Sequence, residues 1–125
     1  MTTRLIPLLA LCLFVGCSKI HEERSFTVEA GGSHSLQITA PLSEQKVKVV
    51  MTSTEPVNVY VLLDKHVPEG KDDFDADALK EGVLAKEKAK KEATLTATIP
   101  AKEKYRVYVN GAAKSANVTV KVDSQ

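Results

Sequence analysis

Val47-Lys-Val-Val-Met-Thr-Ser-Thr-Glu-Pro-Val-Asn-Val-Tyr-Val-Leu-Leu63 decides the fold. Val47, Val49 and Met51 fall on every second position, and so do Val57, Val59, Val61 and Leu63. A pleated strand turns successive side chains to opposite faces, so this spacing gathers the apolar residues on one side and leaves the other for solvent. Glu55-Pro56 interrupts the run, and a proline has no N–H to give to a strand ladder, so the pair predicts a turn between two separate strands.

The same period continues on both sides. Upstream, Phe26, Val28 and Ala30, then Leu36, Ile38 and Ala40, flank Gly31-Gly32 and read as a hairpin. Downstream, Ala93, Leu95, Ala97 and Ile99 alternate with threonines. Tyr105, Val107 and Val109 follow a turn that begins at Pro100, and Val118, Val120 and Val122 follow Asn110-Gly111. Each strand carries one apolar face, and two such sheets bury those faces against each other. The chain therefore predicts an all-β domain over residues 25–123, a seven-stranded antiparallel β-sandwich of immunoglobulin or jelly-roll type.

Residues 64–92 form a connection far longer than the usual handful and should carry structure of their own. Acids lead, Lys80 comes late and Gly82 closes the segment 72–82, which predicts one short helix between the fourth and fifth strands with Phe74, Ala78 and Leu79 as its apolar stripe. The basic run Lys86 to Lys91 then extends the fifth strand or stays solvated. If the strands at 47–51, 57–63 and 105–109 share a sheet with the first of them central, Val50, Tyr60, Leu62 and Tyr108 point outward together. Such a patch needs a cover. The helix stripe is the internal candidate; left open, the four residues are a candidate binding patch.

The N-terminus sets the location. Arg4 precedes an apolar run from Leu5 to Val15, the order of a secretory signal and too short to span a bilayer. Phe14-Val15-Gly16-Cys17 resembles the lipobox of bacterial lipoproteins. That resemblance implies cleavage before Cys17, a diacylglycerol on its thiol and an acyl chain on its new amino group, with residues 1–16 as signal peptide and no other cofactor. Ser18 is not the aspartate that signals inner-membrane retention in some diderm bacteria, so an outer-membrane destination is favoured there. Residues 17–24 read as a polar tether reaching about 25 Å at roughly 3.3 Å per residue.

Removing residues 1–16 from the 125 leaves 109, enough for one domain. Arg4 leaves with the leader, so 16 basic residues balance 16 acidic ones and nucleic-acid binding gains no electrostatic support. Cys12 leaves as well and Cys17 is the lipid site, so no cysteine remains for an internal disulfide.

Chemistry-bearing patterns are sparse. Asp73-x-Asp75-x-Asp77 has the spacing that opens an EF-hand loop, but Ala78 replaces the turn glycine and Leu84 the bidentate glutamate, so these three are weak candidates and no metal is expected. His21, His34 and His66 lack metal-ligand spacing. Ser33-His34-Ser35 has no nucleophile elbow and no paired acid, so no catalytic residue is expected.

Pro100-Ala-Lys-Glu-Lys-Tyr-Arg-Val-Tyr-Val-Asn110, between an alternating strand and a closing Val-x-Val-x-Val strand, resembles the second half of GOLD-type and bacterial pre-peptidase C-terminal sandwiches. The resemblance implies a non-catalytic accessory or binding role in the cell envelope. The reading is thus a membrane-anchored lipoprotein that binds or scaffolds, with an envelope protein or glycan as partner. The alternatives are a calcium-stabilised adhesion or carbohydrate-binding module and an accessory domain of an exported hydrolase system.

Overall fold

The computed structural model describes residues 19–69 and 73–125. The lipobox lies outside them. The fold is all-β, with six strands: β1 (His21–Val28), β2 (Ser33–Ile38), β3 (Gln45–Leu63), β4 (Val83–Ile99), β5 (Tyr105–Asn110) and β6 (Ala116–Ser124). They pair in the order β1-β6-β3-β5-β2, with β4 on the other edge of β3, and every pairing is antiparallel.

β3 explains both the count and the shape. The expected third and fourth strands are one strand of 19 residues. Its first half pairs with β6 from Val47↔Ser124 to Ser53↔Val118, and its second half with β5 from Asn58↔Asn110 to Leu63↔Tyr105. Between these spans the strand changes neighbour. Pro56 falls in that handover, where no ladder partner stands on either side, so its missing N–H goes unnoticed and the strand bends instead of ending. Ser53 fastens the bend, its hydroxyl donating to the Glu55 carbonyl at 2.6 Å.

β4 follows β3 around the bend, so each half of the hairpin belongs to a different layer. β1, β6 and the first half of β3 lie with the end of β4; β2, β5 and the second half of β3 lie with its beginning. The single sheet thus folds onto itself as a nearly closed sandwich. Because Met51 and Val57 are an even number of residues apart, the apolar face of β3 stays inward through the bend. Val47, Val49, Val59, Val61, Val107, Val120 and Val122 meet in one core with no exposed surface.

Two further expectations are corrected, and one left open is decided. No α-helix separates β3 from β4 among the described residues: those of 64–82 hold two 3-10 turns, Asp64–His66 and Ala76–Ala78. The basic run is ladder, since β4 begins at Val83 and Lys86 pairs with Tyr60. Residues 21–24 are not tether, because β1 starts at His21 and pairs from His21↔Asp123 onward, ahead of the expected domain boundary at Ser25.

The alternation makes a ranking testable. Val59→Ala and Val107→Ala should each destabilise by about 1–3 kcal/mol, whereas Thr96→Ala, on the exposed face of β4, should fall within about 0.5 kcal/mol of wild type. Urea melts check the order, and Thr96 ranking above both valines would mean the faces are reversed.

Candidate functional site: a polar groove over β2 and β5

β5 is the most buried strand, yet its second residue is arginine. Arg106 is 8% exposed, the one charged side chain buried among the described residues. Such a group must be paired to be tolerated. Asp64 meets it: Arg106 stands opposite Leu62, and Asp64, two residues beyond Leu62 and so on the same face, accepts from its Nε at 2.7 Å. Arg106 NH1 makes a longer contact of 3.5 Å to Ser35 Oγ, across the β2–β5 ladder. A guanidinium carries five N–H donors, and these two bonds leave donors facing the surface.

What they face is a groove. Ser33, His34, Ser35, Gln37 and Arg106 line a depression of about 520 Å³ on the outer face of β2 and β5. A second depression of about 380 Å³, lined by Gln37, Ile38, Thr39, Asp64 and Lys104, adjoins it through Gln37. The walls therefore offer hydroxyls, an amide and two cations against one carboxylate. That set can hold a hydroxyl-rich or carboxylate-bearing ligand by hydrogen bonds.

The sequence-predicted patch lies beside this groove and is not open. Tyr60 and Tyr108 are directly opposite in the β3–β5 ladder, their rings 6.1 Å apart, and both are buried along with Leu62. The cover is the 64–82 segment. Phe74 stacks on Tyr108 at 4.3 Å, and Ala76, Leu79 and Val67 complete the lid. Tyr108 also pins it: its hydroxyl accepts from Phe74 N at 3.1 Å and donates to Phe74 O at 2.9 Å. Ala78, expected in the stripe, is exposed; Ala76 and Leu79 are three apart and share a face of the 3-10 turn. Val50 belongs to the other layer, between Thr94 and Lys121.

The three aspartates go separate ways. Asp73 faces the Tyr108 hydroxyl at 3.3 Å, Asp75 caps the 3-10 turn by accepting from Asp77 N, and Asp77 holds Lys88 at 2.5 Å and Lys86 at 3.8 Å. No group of three or more His, Cys, Asp or Glu side chains that could hold an ion occurs among the described residues. Lys88 first, then Tyr60 and Lys86, hold the Asp77 carboxyl below its ordinary range. His34 stacks on Phe26 with rings 4.0 Å apart. The His21 ring is paired with Asp123, which raises its pKa.

Burial raises Tyr60 to about 12, helped by the neighbouring Asp77, and raises Tyr105 to about 12, where the buried hydroxyl has no hydrogen-bond partner among the described residues. Both phenols are harder to ionise folded than unfolded. Their contribution to stability is thus complete below pH 10, the ordinary tyrosine value, and is lost as pH rises through about 12. Ultraviolet titration should show Tyr60 and Tyr105 ionising late, together with alkaline unfolding. Two tyrosines titrating at pH 10 in folded protein would contradict the burial.

A second cleft, of about 200 Å³, lies at the bend, lined by Pro56, Asn58, Ala89 and Gly111 among others. The sequence analysis missed the groove, although an arginine inside Tyr-Arg-Val-Tyr-Val and an aspartate directly after Leu63 were its visible signs.

No family model matches this chain, and no curated protein does. Solved structures similar to it include the Yersinia pseudotuberculosis-derived mitogen, with a TM-score of 0.57 at 10% identity over 85% of this chain and 86% of that one. Another is PliG of Aeromonas hydrophila, a periplasmic inhibitor of g-type lysozyme, with a TM-score of 0.56 at 13% identity over 86% of this chain and 87% of that one. At these identities the likeness is one of fold: this chain folds as they do.

Proposed function

We propose that the protein is an envelope lipoprotein, anchored through Cys17, whose domain binds a carboxylate-bearing glycan in the β2–β5 groove without catalysing a reaction on it. The observation that carries the binding site is Arg106: a buried guanidinium fixed by Asp64, with unused donors lining a groove of hydroxyl and amide groups. A fixed planar fork suits a carboxylate better than a mobile lysine would, because little freedom is lost on contact. The non-catalytic part is supported by the stacking of the His34 ring on Phe26. The similar fold of PliG of Aeromonas hydrophila, a periplasmic inhibitor of g-type lysozyme, supports a binding role in the envelope.

Two tests separate the parts. Metabolic labelling with a fatty acid should mark the wild-type chain and not Cys17→Ala, because the thiol is the acceptor; equal labelling of both overturns the anchor. Titration of isotopically labelled protein with neutral and with carboxylated envelope oligosaccharides should shift resonances of Ser33 to Gln37 and Arg106 with the carboxylated set only. Gln37→Trp, which fills the groove from an exposed position, should abolish the shifts. Shifts confined to the bend cleft, or none, overturn the assignment.

A further inference from the structure

The cleft at the bend is built from parts that bending alone does not require. β3 passes there from β6 to β5, and the cleft of about 200 Å³ lies between that stretch, the irregular part of β4 that faces it and the loop that follows β5. Ala89 of β4 has φ of +56°, a left-handed conformation that costs a side chain about 1–2 kcal/mol. A glycine would take the same turn without that cost, whereas the alanine lines the cleft.

Asn58 is fixed from two sides. Its Oδ1 accepts from Ala89 N at 2.9 Å, which settles which end of the amide is oxygen, and its Nδ2 donates to Asn110 Oδ1 at 3.2 Å. One amide N–H and one oxygen lone pair are left over, on a half-buried side chain that lines the cleft. Gly111 brings the main chain up to that amide, since a Cβ there would stand 2.3 Å from Nδ2. Pro56, Ala89 and Ala113 add small apolar surfaces, and Glu55 and Lys114 add one charge of each sign. Neither of these two forms an ion pair among the described residues.

We propose that this cleft binds a small zwitterion, an α-amino acid with an aliphatic side chain. Its ammonium group meets Glu55, its carboxylate meets Lys114 and the spare Asn58 N–H, and its side chain lies against Pro56, Ala89 and Ala113. The size agrees, since an enclosed cavity of about 150 Å³ takes up a benzene molecule and such amino acids are only slightly larger. Because Asn58 is already held by its neighbours, little freedom is lost when a ligand meets it. The site shares no residue with the β2–β5 groove and rests neither on that groove nor on the anchor.

The test uses three probes of one shape: L-valine, its α-hydroxy acid analogue, in which a hydroxyl replaces the ammonium group, and L-valinamide, in which an amide replaces the carboxylate. Titrated into isotopically labelled protein, valine should shift the resonances of the Asn58 side-chain amide, Ala89 and Gly111 saturably. Each analogue should bind about two- to fivefold more weakly, the worth of one exposed ion pair. In Glu55→Gln the hydroxy acid should bind as well as valine, and in Lys114→Gln the amide should; both substitutions fall outside the hydrophobic core, so the fold is retained. Shifts by valine at Gln37 and Arg106 alone overturn the cleft and leave the groove standing. No saturable shift anywhere, or discrimination that survives both substitutions, also overturns the proposal.

Discussion

Tyr108→Ala should destabilise the protein by about 3–5 kcal/mol, more than any single valine truncation in the main core. Tyr108 is fully buried on the outer side of its layer, where it joins three things: the β3–β5 ladder through Tyr60, the stacked Phe74 ring, and the Phe74 main chain. Truncation leaves a ring-sized void and orphans both main-chain groups of Phe74 beneath the lid. The loss should be directional. Hydrogen exchange ought to rise first in residues 73–79 and only later in β3 and β5, because the lid depends on the tyrosine while the ladder has the inner core beneath it. Phe74→Ala, at a half-buried position, should free the lid while sparing the sheet. If Tyr108→Ala melted within about 1 kcal/mol of wild type, the lid would be an appendage and not part of the fold.

Gly111→Ala is expected to cost about 2–4 kcal/mol, for two reasons that a second substitution separates. Gly111 has φ of +80°, a left-handed conformation that a side chain resists by about 1–2 kcal/mol. A Cβ there would also lie 2.3 Å from Asn58 Nδ2 and 3.0 Å from its Cγ. Asn58 cannot yield readily, since its amide nitrogen donates to Asn110 Oδ1 at 3.2 Å and its oxygen accepts from Ala89 N at 2.9 Å. Ala89 itself has φ of +56°, so this asparagine also holds the β4 side of the bend in a strained turn. In an Asn58→Ala background the clash is gone, and Gly111→Ala should cost only the conformational part. Additive effects in this cycle, read from denaturant melts, would show that Asn58 is not what the methyl group meets.

The inward faces were legible because one period accounts for them: every valine assigned to the core from Val47 to Val122 is buried. What the period could not convey is which strand neighbours which. Pro56 read as a break because a proline is costly inside a ladder, and the sequence does not mark the one place where the ladder changes hands. The acid-led segment 72–82 read as a helix by local preference. In the structure the need to lay Phe74, Ala76 and Leu79 over two tyrosines outweighs that preference, and Asp75 caps a single 3-10 turn. The outer apolar positions Tyr60, Leu62 and Tyr108, with Phe74 and Leu79 to cover them, were recognisable from the sequence; Val50 was grouped with them only because the sheet was assumed to be ordered differently. Arg106 was invisible as a site because its meaning depends on Asp64, 42 positions away.

The pairing of β1 with β6 also sets an order of events. His21 and Asp123 are 102 positions apart, so a chain emerging from the ribosome presents its first strand long before the partner of that strand exists. β3 and β4 can meet early, across a connection of modest length; β1 must wait for β6, and that closing step carries a large loop entropy. Throughout synthesis the waiting strand is an open edge. Its first half, His21-Glu-Glu-Arg24, is polar throughout and charged at three of its four positions, a sequence that discourages pairing with another unfinished chain. The nascent protein is thereby shielded from its own copies until β6 arrives.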